Sequence, residues 1–415
     1  MQRALADLET WIPRLLAAWR AGRRGRPGAG PPPDRLLPQE EREVAGAVER
    51  LSRGFTRRRE LAGARYLDDQ RLLGAYLLFY WPVSYLQARG VLSELPRRPR
   101  SALDLGSGPG PMAFAALDAG AAEALAADRS AAALEAARDL ARRAGEPLAT
   151  REWNPARGRP LAELAPGRRF DLVTVGHTLN ELFRSPAAGG AGEPAGRRAA
   201  LLGEALDLLA PGGSLVVIEP ALRETSRALL RVRDLLVARG AAVRAPCLWR
   251  GPCPALARET DWCHAERPIE PPPLVAAIGR RAGLRKEAVK MTTLVLAPRG
   301  EGWPAPPPGQ VFRIVSEPLP SKGRLRYMGC GPEGRLGLAL QEKHLSERNR
   351  RFERLVRGDV VEVTGVEPRG DGLRLGEGSE VRLLAAAGEP LPAAPIAPPA
   401  GSPGPGMPRR GPGDP

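Results

Sequence analysis

A glycine-rich turn between a short apolar strand and a helix most limits the folds open to this chain. A strand is predicted at residues 102–105 and a helix at 112–119, with Gly106, Gly108 and Gly110 in the turn between them. Glycine lets the backbone turn sharply and approach a ligand closely. Asp104 precedes the turn, and Asp128 ends the next predicted strand, where a carboxylate can accept hydrogen bonds from ribose hydroxyls. The segment predicts a cofactor site formed by these five residues.

Strands and helices alternate beyond this turn. Strands are predicted at 124–128, 170–176 and 214–219, and helices at 131–143, 197–209 and 221–240. This alternation indicates a parallel sheet covered by helices. We predict an α/β fold with a Rossmann-like sheet of the class I methyltransferase type, a helical N-terminal region and a small β-rich C-terminal module.

Changes in composition divide the chain into five predicted parts. These are a basic helical region at 1–60, a Rossmann domain at 61–245, a cysteine-rich metal-binding segment with the last sheet strands at 246–300, a β-rich module at 301–385 and a disordered tail at 386–415. In the β-rich module, strands are predicted near 310–316, 324–328, 334–340, 358–366 and 380–384. The tail is rich in Pro, Gly and Ala, a composition typical of disorder.

All cysteines of the chain lie beyond residue 246. They are Cys247, Cys253, Cys263 and Cys330. The N-terminus lacks the apolar stretch of a signal peptide, so we expect a cytoplasmic protein, in which clustered thiols favour a metal site over disulfides. Structural zinc usually uses closely paired cysteines, which are absent, so the spacing favours a [4Fe–4S] cluster held by four thiolates. Zinc and unliganded thiols remain alternatives, and His264 is a weaker candidate ligand.

The chain is strongly basic, with a formal net charge of +15. Codon bias in a GC-rich genome explains Arg in place of Lys but not an excess of basic over acidic residues, so the charge indicates a nucleic-acid partner. The candidate contacts are basic residues near the β-rich module: Lys322, Arg324, Arg326, Lys343, Arg348, Arg350, Arg351 and Arg354. The alternative is that these residues only form a solvated surface. No apolar run is long enough to predict a membrane span.

Three polar residues follow the predicted strand at 171–175 and are the candidate catalytic groups: His177, Asn180 and Glu181. Ligands of α/β proteins bind at the carboxyl ends of the strands, where these residues are expected. The segment lacks the Asn/Asp-Pro-Pro-aromatic signature of amino-methylating enzymes. For His177, a hydrogen-bonded structural role is the alternative to that of a base.

Several segments together carry a family resemblance. They are LDLGSGPG at 103–110, HTLNEL at 177–182, CPAL at 253–256, DWCHAERP at 261–268 and the late Cys330. With them the chain resembles, over about residues 60–385, the mitochondrial methyltransferase-like small-ribosomal-subunit assembly proteins and, more closely, their bacterial relatives.

The resemblance implies S-adenosylmethionine in the Rossmann domain, with the 104–110 segment around the methionine end and Asp128 on the ribose. It also implies a [4Fe–4S] cluster on the four cysteines and association with the small ribosomal subunit through rRNA. We therefore predict a monomeric, methyltransferase-like factor for assembly of the small subunit or for translation. The alternative is an active S-adenosylmethionine-dependent rRNA methyltransferase with a structural metal site.

Overall fold

The protein consists of N-terminal helices, a mixed sheet covered by helices and a β-barrel, as seen in a computed structural model. The structure describes residues 1–22, 34–56, 60–61, 63–155, 158–183, 193–305 and 308–391. Most of the predicted C-terminal tail, from residue 392 onward, lies outside the described residues. The predicted α/β fold with a β-rich C-terminal module is confirmed.

The N-terminal helices pack against the sheet domain. They are α1 (Gln2–Ala21), α2 (Pro38–Thr56), α3 (Gln70–Ala75) and α4 (Trp81–Leu92), and a π-helical turn at Tyr76–Tyr80 joins the last two. Apolar side chains recur at helical spacing along α1 and are buried: Ala4, Leu8, Trp11, Ile12, Leu15, Leu16 and Trp19. The Trp11 ring lies 5.5 Å from that of Trp81 and 4.6 Å from that of Phe114, and its indole N–H donates to Asp118 at 2.7 Å. These contacts fix α1 to the sheet domain.

The central sheet contains β1 (Ser101–Leu105), β2 (Glu123–Asp128), β3 (Leu148–Glu152), β4 (Phe170–Gly176), β5 (Leu209–Pro220), β6 (Val243–Ala245), β7 (Ala265–Pro268) and β8 (Ala288–Leu296). Their order is β3-β2-β1-β4-β5-β8-β6, and β7 also pairs with β8. Strands β1 to β5 are parallel, whereas β8 is antiparallel to β5. The order reverses between β1 and β4, and open α/β sheets bind ligands in the crevice at such a switch point.

Helices cover both faces of this sheet. They include α5 (Pro111–Asp118), α6 (Ala131–Ala144), α7 (Pro194–Asp207), α8 (Arg223–Ala238) and α9 (Pro273–Arg281). One apolar cluster joins α5 to the N-terminal helices, and a second lies under α7 and α8. No helix within the described ranges is long and apolar enough to cross a membrane.

The C-terminal strands form a closed barrel. They are β9 (Val311–Ile314), β10 (Leu319–Ser321), β11 (Arg324–Gly331), β12 (Gly334–Gln341), β13 (Val360–Arg369) and β14 (Gly372–Ala385). Strand β11 pairs with both β12 and β9, which closes the ring. Strand β14 begins eight residues before the predicted start at 380. Its early glycines disfavour a strand locally, and pairing with β12 and β13 orders them.

The packing of Trp11 predicts a large loss of stability on truncation. Trp11→Ala removes a fully buried indole and its hydrogen bond to Asp118, so we expect the free energy of unfolding to fall by about 3–5 kcal/mol. Urea denaturation followed by fluorescence measures it. Glu9→Ala, an exposed position on the same helix, should change stability by about 0.5 kcal/mol or less. Equal effects of the two changes would show that α1 is not part of the core.

Candidate cofactor site and cysteine cavity

A cavity of about 340 Å³ lies at the carboxyl ends of β1, β2, β4 and β5. The predicted residues Gly106, Gly108, Asp128, His177 and Glu181 line it. Helix α2 and the segment that precedes α3 close its other side. The sheet therefore brings residues separated by more than a hundred positions to one ligand-sized space.

The glycine turn after β1 has a left-handed backbone that favours glycine. Gly106, Gly108 and Gly110 have φ angles of 70°, 52° and 80°. A Cβ atom on Gly106 would lie 2.3 Å from the Thr178 hydroxyl oxygen. A side chain at Gly106 would therefore be strained by its φ angle and would collide with the loop that follows β4.

Asp128 sets the position of the turn at the end of β2. Its carboxylate oxygens accept hydrogen bonds from the Gly108 and Ser130 backbone N–H groups, each at 2.8 Å. Burial raises the pKa of Asp128, and these N–H groups oppose the rise by favouring the charged form. Each carboxylate oxygen can accept more than one hydrogen bond, so Asp128 retains capacity for a ligand hydroxyl.

Asp104 and Gly110 do not line the cavity. Asp104 accepts hydrogen bonds from the Thr174 hydroxyl at 2.8 Å and from the Ala113 N–H at 3.2 Å. Burial raises the pKa of Asp104 to about 7. Its contacts join β1 to β4 and to the first turn of α5, so Asp104 positions the glycine turn from beneath.

The segment before α3 covers the cavity through Glu181. The Glu181 carboxylate accepts hydrogen bonds from the Gly63 N–H and the Tyr66 hydroxyl, each at 3.3 Å. Arg129 donates to the backbone oxygens of Gly63 at 2.8 Å and Ala64 at 2.6 Å. Burial raises the pKa of Glu181 to about 7. The side chains of Glu181 and Arg129 thus hold the segment before α3 over the glycine turn.

Glu219, at the end of β5, holds the loop that carries the candidate catalytic residues. It is 1% exposed and accepts backbone hydrogen bonds from Leu179 at 2.9 Å and Asn180 at 3.2 Å. Burial raises the pKa of Glu219 to about 8. Sequence reasoning missed this residue. A carboxylate at the end of an otherwise apolar strand was the signal that could have found it.

His177 and Asn180 already have hydrogen-bond partners within the protein. The Asn180 amide donates to the His177 carbonyl at 2.8 Å, and His177 Nε2 lies 2.7 Å from Gln87 Oε1. Because the Gln87 amide nitrogen donates to the Lys290 carbonyl, its oxygen faces His177, which places the imidazole proton on Nε2. Burial lowers the pKa of His177 to about 4, and its Nδ1 atom has no partner among the described residues. His177 is therefore neutral near pH 7.

Aromatic rings form part of the wall of the cavity. Phe55 packs edge-on against Tyr66 and Tyr80, with centroids 5.0 and 5.5 Å apart, and Tyr76 stacks on Tyr80 at 6.0 Å. Lys286, whose pKa is lowered by burial, lines the same cavity. Tyr66, Tyr76 and Tyr80 border the cavity, whereas Trp81 and Tyr85 are buried in the core.

A second cavity, of about 80 Å³, lies between the sheet domain and the barrel. Its walls include all four cysteines: Cys247, Cys253, Cys263 and Cys330. Burial raises the pKa of Cys253 to about 12 and that of Cys263 to about 11, and repulsion from Cys247 adds to both shifts. Burial and then the other three thiols raise the pKa of Cys330. The fold therefore gathers thiols spread over 84 positions, from 247 to 330, around one space.

The cysteine cavity does not have the geometry of a single-ion site. In the part of the chain that the structure describes, no three His, Cys, Asp or Glu side chains are grouped as a metal ion requires. The four thiols surround a cavity instead of converging on one point.

Helix α8 holds the cysteine loop in place. The Cys253 N–H donates to the Asp234 carboxylate at 3.0 Å, and the Ser226 hydroxyl donates to the Cys263 carbonyl at 2.6 Å. Arg227 donates to the carbonyl of Asp261 at 2.7 Å. These contacts fix the backbone of two cysteines to a helix of the sheet domain, whereas Cys330 belongs to barrel strand β11.

Buried donors without partners surround the thiols. Among the described residues, the Nε–H groups of Arg233, Arg267, Arg313 and Arg335 are buried and lack a hydrogen-bond partner, and all four arginines line the cysteine cavity. A buried N–H without an acceptor costs about 1–3 kcal/mol. The cavity is therefore lined by positive charge and by donors that an anionic, acceptor-rich group would satisfy.

Comparison with known proteins gave one family and a set of distant structural similarities. The family described as mitochondrial small ribosomal subunit Rsm22 matches residues 73–336, more than half of the chain. A search of curated proteins found no match.

Three similar solved structures are described by their sequence identity, coverage and TM-score. An O-methyltransferase family protein from Burkholderia thailandensis is 19% identical, with 69% of this chain and 83% of that chain covered and a TM-score of 0.36. The ribosomal protein L11 methylase from Lactobacillus delbrueckii subsp. bulgaricus is 14% identical, with 52% and 77% covered and a TM-score of 0.31. TrmN from Thermus thermophilus is 20% identical, with 54% and 53% covered and a TM-score of 0.31.

The buried Glu219 predicts a specific pH dependence of stability. Its pKa in the folded protein, about 8, lies above the ordinary 4.5, so its contribution is fully present below about pH 4.5 and is lost as the pH rises through about 8. Glu219→Gln stays neutral at every pH, so its free energy of unfolding should fall less across this range than that of the wild type. Urea denaturation at a series of pH values measures the difference. Exposed Glu163→Gln is the control, and parallel curves for wild type and Glu219→Gln would contradict the prediction.

Proposed function

The chain belongs to the mitochondrial small ribosomal subunit Rsm22 family, and we propose that it is a methyltransferase-like factor that binds the small ribosomal subunit through rRNA. In this proposal it acts as a cytoplasmic monomer, holds S-adenosylmethionine in the Rossmann domain and carries a [4Fe–4S] cluster. The observation that carries the proposal is the range of the family match. Residues 73–336 include the glycine turn, Asp128 and all four cysteines.

The cavity at the glycine turn supports S-adenosylmethionine as the ligand. Its volume of about 340 Å³ lies within the range of small-molecule sites. The backbone of Gly106 and Gly108 lines it, and Asp128 stands where a ribose hydroxyl would be held. The carboxylates of Asp128 and Glu181 would also favour the positively charged sulfonium.

The candidate catalytic residues favour a binding role over methyl transfer. Glu181 holds the covering loop, Asn180 donates to the His177 carbonyl, and His177 Nε2 is bonded to Gln87. A general base needs a pKa near the operating pH, and burial lowers that of His177 to about 4. In this proposal the ligand stabilises the closed arrangement of the N-terminal segment over the sheet.

An active rRNA methyltransferase is the second candidate. One observation favours it: the His177 Nδ1 atom is an acceptor without a partner among the described residues, in a cavity whose lining includes aromatic rings. A base flipped out of RNA stacks on such aromatic rings. Methyl transfer to the small subunit would separate this candidate from the first.

The cysteine cavity supports a cluster more than a single zinc ion. The thiols of Cys247, Cys253, Cys263 and Cys330 line one cavity, but no three are placed for one ion. Four thiolates are the usual ligands of a [4Fe–4S] cluster, and sulfur atoms of such a cluster accept hydrogen bonds from surrounding donors. The unpartnered arginine N–H groups fit an occupant of this kind.

A cluster at this place would join two parts of the chain. Three of its ligands come from the loop held by α8, and Cys330 comes from β11 of the barrel. When bound, the cluster supplies iron–thiolate bonds, whose free energy stabilises the docked arrangement of barrel and sheet. Arg335 of β12 adds a direct contact across the same junction through Asp261 at 2.9 Å.

Basic residues of the barrel support contact with rRNA. Seven of the eight candidates are exposed without a carboxylate in ion-pair distance among the described residues: Lys322, Arg324, Arg326, Lys343, Arg348, Arg351 and Arg354. Arg350 instead pairs with Glu347. Charges that are not neutralised within the protein are available to phosphates.

Cosedimentation with purified small ribosomal subunits tests the proposed function. We expect binding that weakens steeply as salt rises, because each phosphate contact releases counterions. Asp128→Ala should lower S-adenosylmethionine affinity by about tenfold or more in calorimetry, since hydrogen bonds to a charged group are lost, and exposed Glu163→Ala should not. No transfer of a labelled methyl group to the subunit is expected.

Two outcomes would change this conclusion. Absence of binding to the small subunit would overturn the proposed function. Methyl transfer that Asp128→Ala abolishes would replace it by the second candidate.

Metal analysis after anaerobic purification tests the cluster. We expect about four irons per chain and brown protein, with loss of iron in Cys330→Ser because one ligand is removed. Limited proteolysis should then cut more readily between residues 298 and 310, where the barrel joins the sheet. Met328→Leu, two positions away on the same strand, is the control. Colourless protein with about one zinc would contradict the cluster.

A further inference from the structure

The barrel has the strand connectivity of an OB-fold. Without the short β10, the order around the ring is β9-β11-β12-β14-β13, and β13 pairs with β9 to close it. Counted along the chain, these are the first, second, third, fifth and fourth strands of the barrel. The third and fifth strands, β12 and β14, are parallel, and the other neighbours are antiparallel. Barrels of this type bind oligonucleotides or oligosaccharides on the face of their second and third strands. The corresponding face here is that of β11 and β12.

The two ends of this face have different surroundings. At one end, Cys330 and its partner Arg335 adjoin the sheet domain, where Arg335 pairs with Asp261. At the other end, Arg324 lies opposite Gln341, and Arg326 lies opposite Ala339, with both arginines exposed. One end of the face is thus covered within the protein, and the other is open.

Small residues occupy the middle of the open end. Ala339 lies between Arg326 of β11 and Arg374 of β14 in one row across the sheet. The next row contains Gly337, and a Cβ atom placed there would have no heavy atom within 4 Å. Small side chains let a ligand backbone approach the sheet closely.

The open end is positive. Arg324 and Arg326 alternate along β11, which sets them about 7 Å apart, and Lys322 and Lys343 adjoin them at the turns next to β11 and β12. The Glu342 N–H donates to the Gly323 carbonyl at 3.1 Å, which brings these two turns together. Among the described residues none of the four cations is within ion-pair distance of a carboxylate.

The face has no stacking platform. The Phe, Tyr and Trp residues of the barrel are Phe312, Tyr327 and Phe352, and all three are buried in its core. Proteins that hold single strands by their bases stack them on exposed aromatic rings. A ligand of this face would therefore be held by its phosphates.

We propose that the open end of the β11–β12 face, with Lys322, Arg324, Arg326 and Lys343, binds the phosphate backbone of a single-stranded rRNA segment without selecting its sequence. The inference rests on the proposed rRNA binding and assigns it to one surface. Charge complementarity, the open glycine row and the absence of exposed aromatic rings together favour this occupant.

Fluorescence anisotropy of the full-length protein with labelled oligo(U), oligo(A) and an RNA hairpin tests the proposal. For Arg324→Gln/Arg326→Gln, the slope of log affinity against log salt on single strands should shrink by about 1.4, or about 0.7 for each lost phosphate contact. Oligo(U) and oligo(A) should lose affinity by equal factors. Arg324→Lys/Arg326→Lys should restore binding, because phosphates accept a point charge as well as a guanidinium.

The same charge removal elsewhere provides the control. Arg42→Gln/Arg50→Gln changes two exposed arginines of α2 and should leave the salt slope unchanged. A β11 double variant that binds single strands like the wild type would overturn the proposal while leaving the proposed function intact. A loss confined to the hairpin would also overturn it by assigning the face to duplex RNA. Absence of any RNA binding by the wild type would instead defeat the proposed function.

Discussion

A buried cluster of one carboxylate and two guanidinium groups joins the barrel to the sheet domain. Glu94, just after α4, lies 2.6 Å from Arg267 of β7 and 3.6 Å from Arg313 of β9, with all three side chains at most 11% exposed. Burying charge is costly unless it is paired, and one carboxylate does not neutralise two cations. The excess positive charge lies beside the cysteine cavity. The same two arginines therefore pair with Glu94 between the barrel and the sheet domain and contribute positive charge that would favour an anionic occupant of the cavity.

The two cavities share a structural principle. Each lies where distant parts of the chain meet, and buried polar contacts fix its walls: Glu181 and Arg129 around the first, Asp234 and Ser226 around the second. A ligand in either cavity would add stability to the arrangement around it. Under the proposed function, such ligands would hold elements of the fold together and would not take part in turnover.

Local patterns in the sequence predicted the glycine turn, the alternating strands and helices and the gathering of cysteines as candidate ligands. They assigned Asp104 to the ligand, whereas the structure places it beneath the turn, in contact with Thr174 and Ala113. They did not identify the partners of Glu219 or Glu94, although Glu219 stands out as a carboxylate at the end of an apolar strand. The roles of these carboxylates come from partners 40 and 173 positions away, and no local spacing encodes such a pairing.

The sequence by itself determined the elements and their chemistry, because periodicity, glycine positions and cysteine content act through neighbours along the chain. Only the tertiary structure decided that Cys330 lies beside the other thiols, that His177 is hydrogen-bonded to Gln87 and that β9 pairs with β11 to close the barrel. Each of these depends on strand pairing or helix packing between distant segments. Burial then shifts the pKa values of the buried carboxyl, imidazole and thiol groups and leaves some buried donors without acceptors. Both effects require a desolvated environment, which exists only once the chain has folded.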